Sequence, residues 1–256
     1  GGLSTTPAGT VLNAGQACPP PCVGTPTPGN TLSSSPAVGT GETVALSLQN
    51  ATPGTGVTYQ WYSSVDGITY TAEAGQASPS YTATVTANTW YYCDVTCSGA
   101  TSSSTPVQIT LTYCTPSTTS STTRYISNFT TNNAVVNVAN TSGFSAGGYG
   151  NFSASQIITS FPNASISFNA SFLNASTYGF AMWIDANQDL DFNDLGEQVY
   201  NSGAYITGVN NGTFTVPASC LPGQSYRLRI RNDWFSGSPQ PCGAISYGEA
   251  EDYTIT

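Results

Sequence analysis

Oxygen-bearing side chains crowd into one stretch, residues 185–197, which reads Asp-Ala-Asn-Gln-Asp-Leu-Asp-Phe-Asn-Asp-Leu-Gly-Glu. The candidate ligands in it are Asp185, Asn187, Asp189, Asp191, Asp194 and Glu197. A loop that curls around a hard cation turns alternate side chains inward, and Ca²⁺ prefers such oxygen ligands. The stretch therefore predicts a structural Ca²⁺ site. The alternative is a solvated acidic turn, because Asp and Asn are common turn residues.

This stretch departs from the EF-hand loop, the best-known calcium loop. Leu190 stands at the sixth position, where an EF-hand has Gly, and Gly196 stands at the twelfth, so that Glu197 comes one residue late. The residues before the loop, 178–184, are typical of a strand. We therefore expect a calcium loop on a β-scaffold.

A second set of charges lies in two C-terminal segments. The residues are Glu249, Glu251 and Asp252 in one segment and Arg227, Arg229 and Arg231 in the other. Alternation along a strand places the three Arg on one face and sends Leu228 and Ile230 into the core. The carboxylates are expected either to pair with these Arg or to bind metal. The alternative is an exposed basic stripe.

Composition excludes several classes of function. The formal net charge is −9, and there is no His among 256 residues. A nucleic-acid-binding protein needs a basic surface, and anionic membranes also attract basic segments. No apolar stretch is long enough to span a membrane. Without His as a general base, a paired nucleophile or a phosphate-binding loop, we expect a protein that is not an enzyme.

The chain is expected to be all-β, because short alternating segments are separated by Gly, Ser and Pro. We expect two tandem β-sandwich domains, residues 18–113 and 114–256, after an extended N-terminal arm, residues 1–17. The arm is either disordered or a strand that adds to a neighbouring copy. The expected strands are Thr43–Leu48, Tyr59–Tyr62, Tyr81–Val85, Trp90–Cys97, Val107–Leu111, Tyr125–Phe129, Ala134–Val138, Ser165–Leu173, Tyr178–Ile184, Gly212–Val216 and Tyr226–Arg231.

Seven cysteines in a chain without His favour disulfides over a zinc site, and hence an oxidising compartment. Equal spacing suggests Cys18–Cys93 and Cys22–Cys97, and the crossed pairing remains open. An odd count leaves one thiol unpaired or bonded to another chain.

The first domain resembles the immunoglobulin-like modules of secreted bacterial adhesins. The resemblance rests on Tyr59-Gln60-Trp61 and on Tyr91-x-Cys93 about thirty residues later. It implies that Trp61 packs in the core and that Tyr91 forms a tyrosine corner. The neighbouring aromatic residues are expected to pack in the core. The alternative for them is a platform on which sugars stack.

The second domain resembles the GEVED domain of secreted bacterial proteins. The matching residues are Tyr113-Cys114-Thr-Pro, Trp183-Ile184-Asp185-x-Asn187-x-Asp189-x-Asp191-Phe192, Gly196-Glu197, Arg227-x-Arg229, Pro241-Cys242-Gly243 and Ser246-Tyr-Gly-Glu-Ala-Glu-Asp-Tyr253. Leu190 replaces a Gly that the family usually has. The resemblance implies a jelly-roll-like sandwich appended to exported proteins, and a Cys114–Cys242 disulfide, which leaves Cys220 as the odd thiol.

These features predict a secreted, non-enzymatic structural or adhesive protein, stabilised by disulfides and Ca²⁺. We expect it to associate with copies of itself in an extracellular filament or coat. The alternative is a fragment of a cell-surface adhesin that binds a glycan through its calcium-organised loops. Several Asn-x-Ser/Thr sequons would also permit glycosylation in a host with that machinery.

Overall fold

The structure is a computed structural model that describes residues 19–119, 122–173 and 177–256. The predicted N-terminal arm and the Cys18 thiol lie outside the described residues. The chain divides into two compact units. Among the described residues, the first unit contains 19–36 and 43–110, and the second contains 37–42 and the residues from 111 onward. The division expected from sequence, after residue 113, differs from this by a few residues.

The described residues are nearly all-β, as the sequence predicts, with a short 3₁₀ turn at Ala146–Gly148. The strands of the N-terminal part are β1 (Thr31–Ser33), β2 (Ala37–Val38), β3 (Thr43–Leu48), β4 (Thr58–Ser64), β5 (Thr71–Ala72), β6 (Ser80–Thr84), β7 (Thr89–Cys97), β8 (Ala100–Ser103) and β9 (Val107–Leu111). Those of the C-terminal part are β10 (Ser117–Thr118), β11 (Ile126–Asn132), β12 (Ala139–Asn140), β13 (Tyr149–Asn151), β14 (Ile157–Ile158), β15 (Ser165–Phe172), β16 (Thr177–Ile184), β17 (Gln198–Asn201), β18 (Ile206–Thr207), β19 (Val209–Thr215), β20 (Tyr226–Asp233), β21 (Ala244–Ile245) and β22 (Gly248–Ile255). Within the described residues, no helix is both long and apolar enough to cross a membrane.

The first unit is a β-sandwich. One sheet has the order β1-β3-β6, and the other contains β9-β7-β4-β5 with β8 paired to β7. Trp61 on β4 is fully buried, and its ring lies 6.0 Å from that of Tyr81 on β6. Tyr91 is also buried, so the predicted core positions of Trp61 and Tyr91 are confirmed. The same expectation is wrong for three neighbouring aromatic residues, which are only partly buried: Tyr62, Trp90 and Tyr92.

The second unit is a larger sandwich of two sheets. The first sheet has the order β12-β11-β15-β19, and the second is built on β13-β22-β20-β16-β17. The predicted strand Ser165–Leu173 is confirmed as β15, and its alternate residues Ile166, Phe168, Ala170 and Phe172 all belong to the core. It packs with the apolar faces of β16 and β20, including Leu228 and Ile230.

The prediction of a strand at Ala134–Val138 is wrong. The segment is a turn between β11 and β12, in which Val136 makes only an isolated bridge to Thr159. Asn133 adopts a left-handed φ of 70°. The Asn137 side chain accepts the Ala134 N–H and donates to the Ala134 carbonyl, so local side-chain hydrogen bonds replace strand pairing.

The described residues contain two disulfides, Cys22–Cys97 and Cys114–Cys242, and both are pairings that the sequence suggested. Within the described residues, Cys93 and Cys220 are buried thiols without a disulfide. The suggested partner of Cys93, Cys18, lies outside those residues. Each bond closes a long loop, which restricts the unfolded chain.

Gly179 lies on β16, the strand that leads into the acidic loop, and the backbone of Ser236 packs closely against it. A Cβ built there would lie 2.0 Å from the backbone oxygen of Ser236, which cannot move without displacing its segment. We expect Gly179→Ala to lower the free energy of unfolding by about 2–3 kcal/mol, measured by chemical denaturation. The matched control is Gly143→Ala, where a Cβ would meet no atom within 4 Å. Equal stabilities of the two variants would contradict this packing.

Candidate metal centre and buried charge network

The acidic loop connects β16 to β17 and is anchored at both ends by a buried carboxylate. Asp185 directly follows β16, and Glu197 directly precedes β17. The Ile184 N–H donates to the Glu197 carbonyl at 2.8 Å, and the Asp185 N–H donates to the Arg227 carbonyl at 3.0 Å. The sheet thus fixes the positions of both carboxylates.

Between these ends, the regular spacing of Asp and Asn has a local cause. Side-chain oxygens of Asn187, Asp189 and Asp191 each accept the N–H two residues further along, at 3.1, 3.1 and 2.8 Å. Such turns let Asp and Asn replace backbone hydrogen bonds in a tight loop. The alternation therefore builds the loop's curvature as well as supplying oxygen atoms.

Leu190 occupies the position at which the family pattern has Gly. It adopts a left-handed conformation with φ of 72°, and Gln188 does the same with φ of 65°. An L-residue pays roughly 1–2 kcal/mol for this conformation. The loop thus makes the turn without Gly, at the expense of local strain.

Three carboxylates of the loop converge. Oxygen atoms of Asp185, Asp189 and Glu197 lie within 4.8 Å of one another, a group that could hold a metal ion. Oxygen ligands on opposite sides of a Ca²⁺ ion are separated by about 4.6–5.2 Å, so this spacing fits a calcium shell.

The other three predicted ligands are arranged differently. Asp191 and Asp194 lie outside the convergent group. The Asn187 amide donates to the carboxylates of Asp189 and Asp194, and an Asp191 oxygen accepts the Asn193 N–H. Hydrogen bonds within the loop therefore hold these side chains.

Asp185 is oriented by three hydrogen bonds. It accepts the N–H groups of Gln188 at 2.7 Å and Leu190 at 3.1 Å, and the hydroxyl of Tyr113 at 2.6 Å. A carboxylate has about four lone-pair sites, so one remains for a cation. Burial and the neighbouring Asp185 carboxylate raise the pKa of Tyr113, which keeps its hydroxyl a donor.

Glu197 has more unoccupied acceptor sites than Asp185. It accepts the N–H groups of Ala186 at 3.0 Å and Asp194 at 3.2 Å, which leaves about two lone-pair sites open. Burial raises the pKa of the Glu197 carboxyl to about 7. Within the described residues, the ion pairs run from Arg227 and Arg229 to Asp252, so none of them reaches this group.

The arginine strand confirms one of the predicted pairings. Arg229 is fully buried, and its Nε and Nη2 donate to the two Asp252 oxygens at 2.7 and 2.8 Å. Arg227 Nη1 donates to Asp252 at 2.9 Å, and the Tyr149 hydroxyl donates to it at 2.6 Å. Asp252 therefore serves two Arg, as the opposite-charge interpretation predicts.

Arg231 contradicts both the pairing and the exposed-stripe interpretations. Its side chain is buried, and it donates to the carbonyls of Gln240, Cys242 and Gly243 at 2.9, 2.6 and 2.6 Å. Backbone oxygens of the 240–243 loop thus take the place of a carboxylate. Desolvation lowers the pKa of Arg231 to about 10.

Glu249 and Glu251 do not pair with Arg either, because they lie on the opposite face of β22 from Asp252. Glu249 accepts the N–H groups of Ile126 at 3.1 Å and Ser145 at 2.6 Å. Glu251 accepts the hydroxyls of Ser142 at 2.7 Å and Tyr253 at 2.6 Å. Both are fully buried, and burial raises the pKa of each carboxyl to about 7.

Sequence reasoning named the charged residues of this network but missed most of their partners. Tyr113 stood beside Cys114 in a recognised motif, which was a usable signal. Ser142, Ser145 and Tyr149 come from a Gly- and Ser-rich segment far from the acidic residues in sequence, and no local pattern marked them.

Comparison with known families finds a match over the charged residues of this network. A GEVED domain model matches residues 179–256, which contain the acidic loop, the arginine strand and β22. The GEVED resemblance is thereby confirmed over that range. A second model, a domain of unknown function (DUF8696), matches residues 28–113.

Comparison with solved structures returns matches of low sequence identity. The chain is similar to the FN1–FN3 domains of chicken CNTN1, with 9% identity, a TM-score of 0.27, and coverage of 93% of this chain and 69% of that one. It is similar to murine CEACAM1b with 10% identity, a TM-score of 0.27, and coverage of 89% and 96%. Sequence comparison with curated proteins finds no match.

The buried glutamates predict a stability that depends on pH. Their pKa values rise from an ordinary 4.5 to about 7 in the folded protein. Folding therefore favours the protonated carboxyls. Their contribution is complete below pH 4.5 and is lost as the pH rises through about 7.

We expect the side-chain carboxyl ¹³C signals of Glu249 and Glu251 to titrate near pH 7. Single Glu→Gln variants would assign the signals, and the urea-unfolded protein would supply the reference. Titration of both carboxyls near 4.5 in the folded protein would contradict their burial.

Proposed function

We propose that this chain is a non-enzymatic, extracellular structural protein whose second unit is stabilised by Ca²⁺ and which associates with copies of itself. The observation that carries the calcium part is the convergence of Asp185, Asp189 and Glu197. Two of these carboxylates are buried, and burying charge is costly unless an opposite charge compensates it. A divalent cation held by oxygen ligands supplies that charge.

The loop's residues suit a structural cation. Asp185 and Glu197 close the loop at its two strand ends, so an ion between them joins β16 to β17. Ligands drawn from both ends of a loop resist its opening, and an ion that binds only the folded state stabilises it by mass action. The ion's contribution is thus to neutralise charge and fasten the loop.

The extracellular and structural parts rest on other features. Two disulfides favour an oxidising compartment. The chain has no His, and only 7% of its residues are charged, which suits a passive surface better than acid–base chemistry. Self-association is the prediction that the sequence makes for the N-terminal arm, residues 1–17, which lies outside the described residues.

A specific observation favours a second candidate, a glycan-binding adhesin. The rings of Tyr62 and Tyr92 stack at 4.9 Å, and Tyr70 meets Tyr92 edge-on at 4.7 Å. All three are partly exposed, on the face of the first unit's sheet opposite the buried Trp61. Partly exposed tyrosine rings can stack on sugars.

The calcium proposal predicts a response specific to the convergent carboxylates. We expect Ca²⁺ to raise the unfolding temperature of the wild-type protein and a chelator to reverse the effect. Asp185→Asn should abolish the response, because it removes charge from the centre. Asp191→Asn should retain most of it, since Asp191 lies outside the group.

The charge-matched control is Asp94→Asn in the first unit, where Asp94 accepts a hydrogen bond from Ser103. Terbium luminescence would report binding independently of stability. An unchanged unfolding temperature in Ca²⁺ and in chelator, together with no terbium signal, would refute the metal centre.

The assembly proposal predicts filaments that depend on the arm. Electron microscopy of the purified full chain should show regular polymers, and deletion of residues 1–17 should abolish them. Monodisperse particles from both proteins would reject the filament. Loss of glycan binding in Tyr92→Ala would then favour the adhesin.

A further inference from the structure

The disulfide between Cys114 and Cys242 has an unusual neighbour. Arg229 donates hydrogen bonds to the Asp252 carboxylate through Nε and Nη2, which leaves both hydrogens of Nη1 for other acceptors. Nη1 lies 2.9 Å from Cys114 Sγ and 3.1 Å from the Pro241 carbonyl oxygen. A buried cationic donor therefore points at one sulfur of the disulfide.

This contact bears on thiol–disulfide exchange. In that reaction a thiolate attacks one sulfur, and the other sulfur leaves as a thiolate. A leaving sulfur departs faster when its negative charge is stabilised, and a neighbouring Arg is one of the groups that provide this. Cys114 is thus the favoured leaving group.

The solvent exposure of the two cysteines also favours attack at Cys242. Cys114 is buried, whereas Cys242 is only partly buried and is followed by the exposed Gly243. An incoming thiol therefore approaches the bond from the side of the more exposed residue, Cys242. The charge of Arg229 and the exposure of Cys242 therefore favour the same outcome, in which the thiol attacks Cys242 and Cys114 is the leaving group.

We propose that Cys114–Cys242 is a thiol-exchange site, at which a small-molecule thiol forms a mixed disulfide with Cys242. The thiolate sulfur of the incoming molecule bonds to Cys242 Sγ, the Cys114–Cys242 bond breaks, and its electron pair remains on Cys114 Sγ beside Arg229. The net oxidation state is unchanged, because one disulfide replaces another. A second thiol would complete the reduction and carry away the oxidised small disulfide.

The surrounding contacts make the exchange reversible. Arg231 holds the 240–243 loop through the carbonyls of Gln240, Cys242 and Gly243, and these hydrogen bonds do not involve the disulfide. Cys242 therefore stays near Cys114 after the bond opens. The Cys114 thiolate can attack the mixed disulfide and restore the original bond.

Exchange also has a consequence for the acidic loop, which rests on the metal centre proposed above. Tyr113, next to Cys114, donates its hydroxyl to Asp185 and stacks on Phe192 with 5.4 Å between ring centroids. Opening the disulfide removes the covalent restraint on this segment. We expect the affinity for metal to fall in the exchanged protein.

The chain contains a matched control, the disulfide Cys22–Cys97. Both of its cysteines are buried, and Cys97 Sγ lies 3.8 Å from a neutral donor, the Ser98 hydroxyl. The two bonds can be compared in one wild-type sample. This removes the risk that a variant of the buried Arg229 fails to fold.

The experiment treats the native protein with reduced glutathione, quenches with acid at intervals, alkylates and maps the peptides by mass spectrometry. We expect glutathione on Cys242, alkylation of Cys114, and opening of this bond roughly tenfold or more faster than Cys22–Cys97. Glutathione on Cys114, or equal rates for the two bonds, would overturn the proposal. Terbium titration of the exchanged protein tests the consequence separately, and its failure would leave the exchange standing.

Discussion

The second unit depends on the bidentate pair between Arg229 and Asp252. A guanidinium buried in this sheet requires a carboxylate in a fixed position, because removing one partner of a buried pair typically costs about 3–5 kcal/mol. The pair also gathers its surroundings, since the Arg229 side chain lies 4.7 Å from the Phe192 ring and contacts Cys114. Through Phe192 and Tyr113 it reaches the acidic loop, so the disulfide, the ion pair and the candidate metal centre form one connected structure.

Side chains on β22 alternate between the two faces of the sheet, so the acidic residues of this strand lie in two different environments. Asp252 faces the arginines and remains an ion-pair partner. Glu249 and Glu251 face the sandwich core, where backbone N–H and hydroxyl donors replace a cation. Adjacent acidic residues therefore perform different tasks, and only the one on the arginine face balances charge.

Sequence reasoning reached the all-β fold and most strands because alternation and turn residues act locally. It also located the acidic loop, since the two-residue repeat of Asp and Asn builds the turns. It failed at Ala134–Val138, where Asn137 captures the backbone of a segment with strand-like composition. It could not assign Arg231, because its acceptors are backbone carbonyls supplied by tertiary contact.

We propose that the acidic loop holds a calcium ion between its two ends. The most direct test is a crystal structure of the full chain grown in Ca²⁺, with anomalous diffraction data. We expect an anomalous peak about 2.3–2.6 Å from oxygens of Asp185, Asp189 and Glu197. A well-ordered loop in saturating Ca²⁺ without such a peak would contradict it.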